Sequence, residues 1–242
     1  MHVGTRLDLP PAYRLVSLRE GGDALAHAGA IAATAGAGTL VHVGRCDVAE
    51  FAVVLEPDET LSSARRIVYA GMLALMDTLA TQAPPKCRMD FAWPGAIHVD
   101  GGLIGGARLA WPSGCAEDAV PEWLVFGGLL RLVAPDAREP GSRPAALDEA
   151  GFEDLDSGQL VASCARHLLV ALDAWQHDAF GIVAGRYLKH LMHEGGSVPE
   201  LGDNGDLLLS RACGRQSDRR SLAVALASPA CFDPATTGGP RR

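Results

Sequence analysis

Apolar and polar positions change period several times along this chain, and each change marks an element. Residues 23–35 are rich in Ala and Gly, with Leu25, Ile31 and Ala32 as the core-like positions. That pattern predicts a helix packed closely against a sheet and ended by Gly36 and Gly38. Residues 39–45 and 51–56 are apolar and β-branched, which predicts two strands with only residues 46–50 between them. Leu61, Ala64, Ile67, Val68, Gly71, Met72, Leu75 and Leu79 then recur at helical spacing. They predict one long helix, opened by Pro57-Asp58-Glu59-Thr60 and stopped by Pro84-Pro85.

Residues 88–93, 96–100, 103–111 and 123–133 read as consecutive strands separated by Pro, Gly and Ser, for which antiparallel pairing is the economical topology. Residues 134–148 form a Pro-, Arg- and Asp-rich loop, expected to be mobile. A second helix opens at Asp156 and Ser157, with Leu160, Cys164, Leu168, Ala171, Leu172 and Trp175 as its apolar face. A third spans 180–193, ends at Gly195-Gly196, and carries Lys189, His190 and His193 where a helix favours positive charge. Asp203-Asn204-Gly205 is a hairpin-type turn before a strand at 206–210, residues 221–226 form one further short element, and the tail from Thr236 reads as disordered. The order predicts an α+β fold: a mostly antiparallel mixed sheet flanked by helices over 12–195, a small β-rich C-terminal domain over 196–235, and a tail over 236–242.

Composition narrows the function classes. The 242 residues are 48% apolar, enough for one substantial core. Net charge is −8 with scattered Lys and Arg, whereas binding nucleic acid needs clustered cations to neutralise phosphates. No apolar run reaches the roughly 18 residues that cross a bilayer, and residues 1–11 lack a signal-peptide pattern, so a cytoplasmic protein without membrane attachment is expected. Six cysteines without a C-x-x-C pair predict reduced thiols and no structural zinc.

The segment from Asp90 to Leu109 carries the most specific signal: Trp93-Pro94, a short strand, the turn Asp100-Gly101, then Leu103-Ile104-Gly105-Gly106-Ala107-Arg108. It resembles the signature of the biotin and lipoate protein ligases, in which Lys-Trp-Pro-Asn-Asp is followed by an apolar strand, a Gly turn, and a Lys with small residues. The element order over about residues 15–226 is similar to the catalytic and C-terminal parts of a biotin protein ligase. The resemblance implies a class II synthetase-like core. It also implies an activity in which a small carboxylic acid is joined to ATP and then passed to a lysine of an acyl or biotin carrier protein, with ATP, biotin or lipoate as the cofactors of a retained activity. Some biotin ligases carry an N-terminal DNA-binding domain; with so few residues ahead of Arg14, none is expected here.

Several positions depart from that signature. Leu103 stands where the family keeps its essential lysine, Gly95-Ala96 where it has Asn-Asp, Ala92 where it has the first Lys, and Arg131 where a glycine-rich strand ends in Asn. The Gly-Arg-rich loop that covers the adenylate is reduced to a few residues after Gly44-Arg45-Cys46. Adenylation brings a carboxylate against a polyphosphate, so losing these groups together removes most of the charge that offsets their repulsion. Arg45 and Arg108 are the candidate substitute cations. Trp93, Pro94, Gly105 and Gly106 are the candidate pocket walls, each with a plain structural alternative: core for Trp93, and close backbone approach for the glycines. No catalytic residue is assigned. A catalytic thiol at Cys46 or Cys87 lacks the neighbouring base it needs, and His190, His193 and Glu194 lack a third metal-ligand set. The reading is therefore a ligase-like protein that binds an acyl or cofactor-type small acid or a carrier protein without ATP-dependent ligation. The alternative is an active divergent biotin, lipoate or octanoate ligase or acyltransferase.

Overall fold

A computed structural model describes residues 7–134, 145–178, 180–193, 197–211 and 217–227. The elements are β1 (Arg14–Leu18), α1 (Ala24–Ala35), β2 (Thr39–Val43), β3 (Val48–Leu55), α2 (Leu61–Ala64), α3 (Ile67–Ala80), β4 (Met89–Ala92), β5 (Ala96–Val99), β6 (Gly102–Ala110) and β7 (Leu124–Arg131). They continue with α4 (Ser157–Asp178), α5 (Phe180–His190), β8 (Ser197–Leu201), β9 (Leu207–Arg211), β10 (Ser217–Arg220) and α6 (Leu222–Ala227). Seven strands form one sheet in the order β1-β2-β3-β7-β6-β5-β4, antiparallel except for the β1–β2 pair. A separate antiparallel sheet, β10-β9-β8, forms the small C-terminal unit.

Strands β3 and β7 are buried on both faces because helices cover both sides. On one side lies α1, whose Ala24, Ala28 and Ala32 recur every fourth residue and pack on Val41, Val43, Ala52, Val54 and Val125. Alanine at those positions lets the helix axis approach the sheet closely. Asp23 caps its first turn by accepting from Ala26 N–H, and Gly36, at φ 73°, ends it. On the other side α3, α4 and α5 bury the main core, which includes Phe51, Met72, Leu75, Phe91, Phe126, Val161 and Tyr187.

Several elements differ from the pattern reading. The long helix is interrupted: i→i−3 bonds from Arg66 to Ser63, Val68 to Arg65 and Tyr69 to Arg66 tighten the chain between α2 and α3. Both arginines there are drawn sideways. Arg65 lies over the Trp111 ring and pairs with Glu117, while Arg66 pairs with Glu59 and donates to Asp203 O. β1 is a short edge strand in which Arg14, Leu15 and Ser17 are exposed and only Val16 and Leu18 pack inward, too few to mark a strand in the sequence. β8 and β10 flank the one expected C-terminal strand, and residues 222–227 are helical. The third helix stops at His190, because Leu191 bridges to Phe91 and Met192 N–H donates to Phe91 O. Much of the 134–148 loop, the stop at Gly195-Gly196 and the tail lie outside the described residues.

Candidate functional site

Alternation along β3 puts Val48, Glu50, Ala52 and Val54 on the face that α1 covers, and α1 covers only the far half of it. Beyond the helix N-terminus the sheet carries an apolar cluster of Val48, Ala96 and Leu129, with Ala92 and Leu103 packed against them. Val48, Ala96 and Leu129 are themselves buried, and Leu103 and Ala92 are the partly exposed members of this apolar floor. Leu103 faces His98 across a register shift between Ile97 and His98.

Charged groups border that floor. The β2–β3 connection is four residues, 44–47, and it holds Arg45 and Asp47 two positions apart. Arg45 donates from Nε to one Asp47 oxygen at 2.9 Å and from Nη2 to the other at 2.6 Å. The bond to Arg45 holds the Asp47 carboxyl below the ordinary range, and the same bond raises the arginine. Arg108, on the same face of β6 opposite Gly127, lies 3.7 Å from Asp23. Arg131 is buried, donates to Ala145 O, and its charge reaches Asp47.

Glu50 sits among these groups. It is buried, and its Oε1 accepts the Ala24 N–H at 2.8 Å, so a strand residue closes the first turn of α1. Burial pushes its carboxyl up, with Asp23 adding to the rise, while the Ala24 bond, Arg45 and Arg108 oppose it. The structure therefore brings Arg45 and Arg108 together around Glu50. Sequence reasoning named the two arginines and passed over Glu50, although a lone acid inside the run Val48-Ala49-Glu50-Phe51-Ala52-Val53-Val54 was a visible signal. Asp23 and Asp47 carried no comparable signal.

The other candidates take different places. Trp93 packs against the opposite core, where its Nε1–H donates to Tyr69 Oη at 2.8 Å and the Tyr69 hydroxyl donates to Gly205 O. Pro94 O accepts from Tyr187 Oη at 2.9 Å. The Trp-Pro turn thereby ties the β4–β5 hairpin to α3, α5 and the C-terminal sheet. A Cβ on Gly105 would stand 2.1 Å from Leu129 O, and one on Gly106 would stand 1.8 Å from Gly95 O. The space at both glycines is filled by neighbouring backbone.

Among the cysteines, Cys46 is exposed on the β2–β3 connection. Cys87 is raised by burial and by Asp100, and Cys164 is pushed up to about 12 by burial. Cys213, Cys231 and Glu194 lie outside the described residues. Among the described residues no three His, Cys, Asp or Glu side chains converge as metal ligands, and no helix is long and apolar enough to cross a membrane. The cavity lined by Glu50, Arg108 and Leu129 is only about 10 Å³, and larger ones lie elsewhere. One of about 240 Å³ between Leu55, Ile67 and Trp175 is at the opposite end of β3, and one of about 400 Å³ lies between Arg65 and Arg219. The face beside Glu50 gathers Arg45, Arg108, Asp23 and Asp47, and that converging charge makes it the candidate site.

Comparison with known proteins gives this geometry a frame. The family model described as "Biotin/lipoate A/B protein ligase family" matches residues 9–189. A biotin--[acetyl-CoA-carboxylase] ligase from Paracoccus denitrificans is 27% identical over 192 residues, covering 68% of this chain and 74% of that protein. A crystal structure of a biotin protein ligase-like protein of unknown function from Silicibacter sp. TM1040 superposes with a TM-score of 0.78 at 24% identity, covering 90% of this chain and 98% of the other. Biotin protein ligase from Aquifex aeolicus superposes with a TM-score of 0.65 at 14% identity, covering 86% and 95%. The two structural likenesses establish a shared fold.

Proposed function

This chain belongs to the biotin/lipoate A/B protein ligase family, and we propose that it binds the acyl group of a biotin-, lipoate- or octanoate-type acid, free or on a carrier protein, without activating it with ATP. One observation carries the reading. Where an adenylating site needs cations aimed at phosphates, the arginines on this face are engaged by the chain's own groups, Arg45 by Asp47, Arg108 by Asp23 and Arg131 by Ala145 O. Leu103, at the position of the family's lysine, lies in the apolar floor. The site so proposed lies on this face beside the partly exposed Ala92 and Leu103, with Arg45, Glu50 and Arg108 at its border. The Paracoccus relative, by its name, acts on acetyl-CoA carboxylase, which supports a carrier protein as the partner class.

The alternative is a divergent ligase or acyltransferase that still modifies a carrier lysine. One incubation separates the two: purified protein, ATP-Mg, biotin, lipoate or octanoate, and apo carrier domains, with carrier mass followed by mass spectrometry. The proposal expects no mass gain above a protein-free control. Transfer of an acyl group in an ATP-dependent manner establishes the alternative.

A further inference from the structure

We infer that the cavity of about 400 Å³ between Arg65 and Arg219 is a second ligand site, one that takes a small polar molecule by its oxyanion, a phosphate monoester or a carboxylate. It lies where the C-terminal unit meets the break between α2 and α3, on the side of the sheet opposite α1 and away from Glu50. Arg65 carries the inference. Its side chain is 5% exposed and lies over the Trp111 ring. It donates from Nη2 to Glu117, and its buried Nε–H has no partner among the described residues. A buried N–H and a buried charge each need a partner. Glu117 is a weak one for the charge, because its own side chain is 64% exposed to water on the β6–β7 connection. Water can meet an N–H without meeting the charge. An oxyanion meets both.

The other groups around the cavity point the same way. Asp206 is already occupied: one oxygen accepts the Leu222 N–H at 2.9 Å and the other accepts from Arg219 Nε at 2.8 Å. Arg219, engaged only through Nε among the described residues, keeps both terminal nitrogens as donors, and Ser62 and Ser221 add hydroxyls. Acids and arginines balance here, two of each, so the selection lies in hydrogen-bonding capacity: the donors exceed the acceptors left to meet them. Arg45 differs, since Asp47 takes its Nε as well as its Nη2. The cavity is larger than one oxyanion fills, and Ala223 is the single apolar side chain in its lining. The body that carries the oxyanion is therefore hydrophilic, unlike an acyl chain.

Calorimetry on the full chain at constant ionic strength tests this, with inorganic phosphate, glycerol 3-phosphate and citrate as probes and glycerol as the uncharged control. At least one of the three anions is expected to bind at a single saturable site, and glycerol is expected not to bind. Binding of the phosphates alone assigns a phosphate ligand, binding of citrate alone assigns a carboxylate, and binding of both supports the shared oxyanion chemistry. Arg65→Lys and Arg219→Gln are each expected to weaken the anion by about tenfold or more. The Arg219 side chain is 65% exposed, so that variant keeps the test open if the Arg65 variant does not fold. Arg220→Gln removes a neighbouring exposed arginine that does not line the cavity, and is expected to leave affinity within about twofold. No binding by any of the anions, glycerol binding as tightly as they do, or a loss in Arg219→Gln no greater than in Arg220→Gln overturns the inference.

Discussion

The Ala24 amide donates to the Glu50 carboxylate across 2.8 Å, so the helix that covers the sheet is capped by a side chain of the strand beneath it. That contact couples the geometry of the site to the stability of the fold. Burial is the main reason the Glu50 carboxyl is raised. The folded protein therefore holds this proton more tightly than the unfolded chain does. The stability that follows is fully present below the ordinary carboxylate pKa and is lost as pH rises through the raised value. Glu50→Gln keeps an acceptor for Ala24 and removes the ionisation. The variant is expected to gain stability relative to the parent at pH 8 and to gain nothing at pH 4. Thermal melts at the two pH values check this, and a loss at pH 8 contradicts it.

Asp206 makes the opposite case. Burial pushes its carboxyl up, but bonds from Leu222 N–H, Arg219 and Asn204 outweigh that and leave it below the ordinary range. It contributes stability above its unfolded pKa, and that contribution is lost as pH falls through the lowered value. Asp206→Ala removes the cap of α6 at Leu222 and the bond to Arg219. A loss of about 1–2 kcal/mol is expected at pH 7, shrinking as pH falls through the lowered value, read by urea denaturation at each pH.

Trp93 is expected to matter for stability and not for ligand. Trp93→Phe removes the donor to Tyr69 Oη and leaves the ring in the core. A cost of about 1 kcal/mol is expected, with acyl-peptide affinity unchanged within twofold. Parallel melts and titrations decide it, and an affinity loss of tenfold places Trp93 in the binding surface instead.

The glycines of β6 separate backbone approach from ligand room. Gly106→Ala puts a methyl 1.8 Å from Gly95 O, where the Ala107 N–H to Gly95 O bond closes the turn. More than about 2 kcal/mol should be lost. Gly181→Ala in α5 meets nothing within 4 Å and is expected to gain about 0.5–1 kcal/mol from helix propensity. Chemical denaturation of both variants checks the contrast.

Much of this architecture was legible in the residues. The Ala-rich helix, its glycine stop and the strands from Met89 to Arg131 followed from period and turn chemistry, because those signals are local. β1 was not legible, since this five-residue edge strand, paired in parallel to β2, turns only Val16 and Leu18 inward, and those only in part. The break between α2 and α3 was hidden too: the apolar period runs through it, and only the tertiary partners of Arg65 and Arg66 draw the chain aside. In the site, residue types were readable and faces were not. The register shift at Ile97/His98 decides which side Leu103 takes, and Trp93 follows Phe91 toward the core and away from Arg108. Glu50 was the signal to have used, a single acid within an apolar strand.

The most direct test of the account is the position of the bound acyl group. A peptide bearing a photoreactive acyl-lysine, cross-linked to the full chain and mapped by mass spectrometry, is expected to label segments containing Ala92 or Leu103. Labelling confined to the cavity between Leu55, Ile67 and Trp175, with none on those segments, contradicts it.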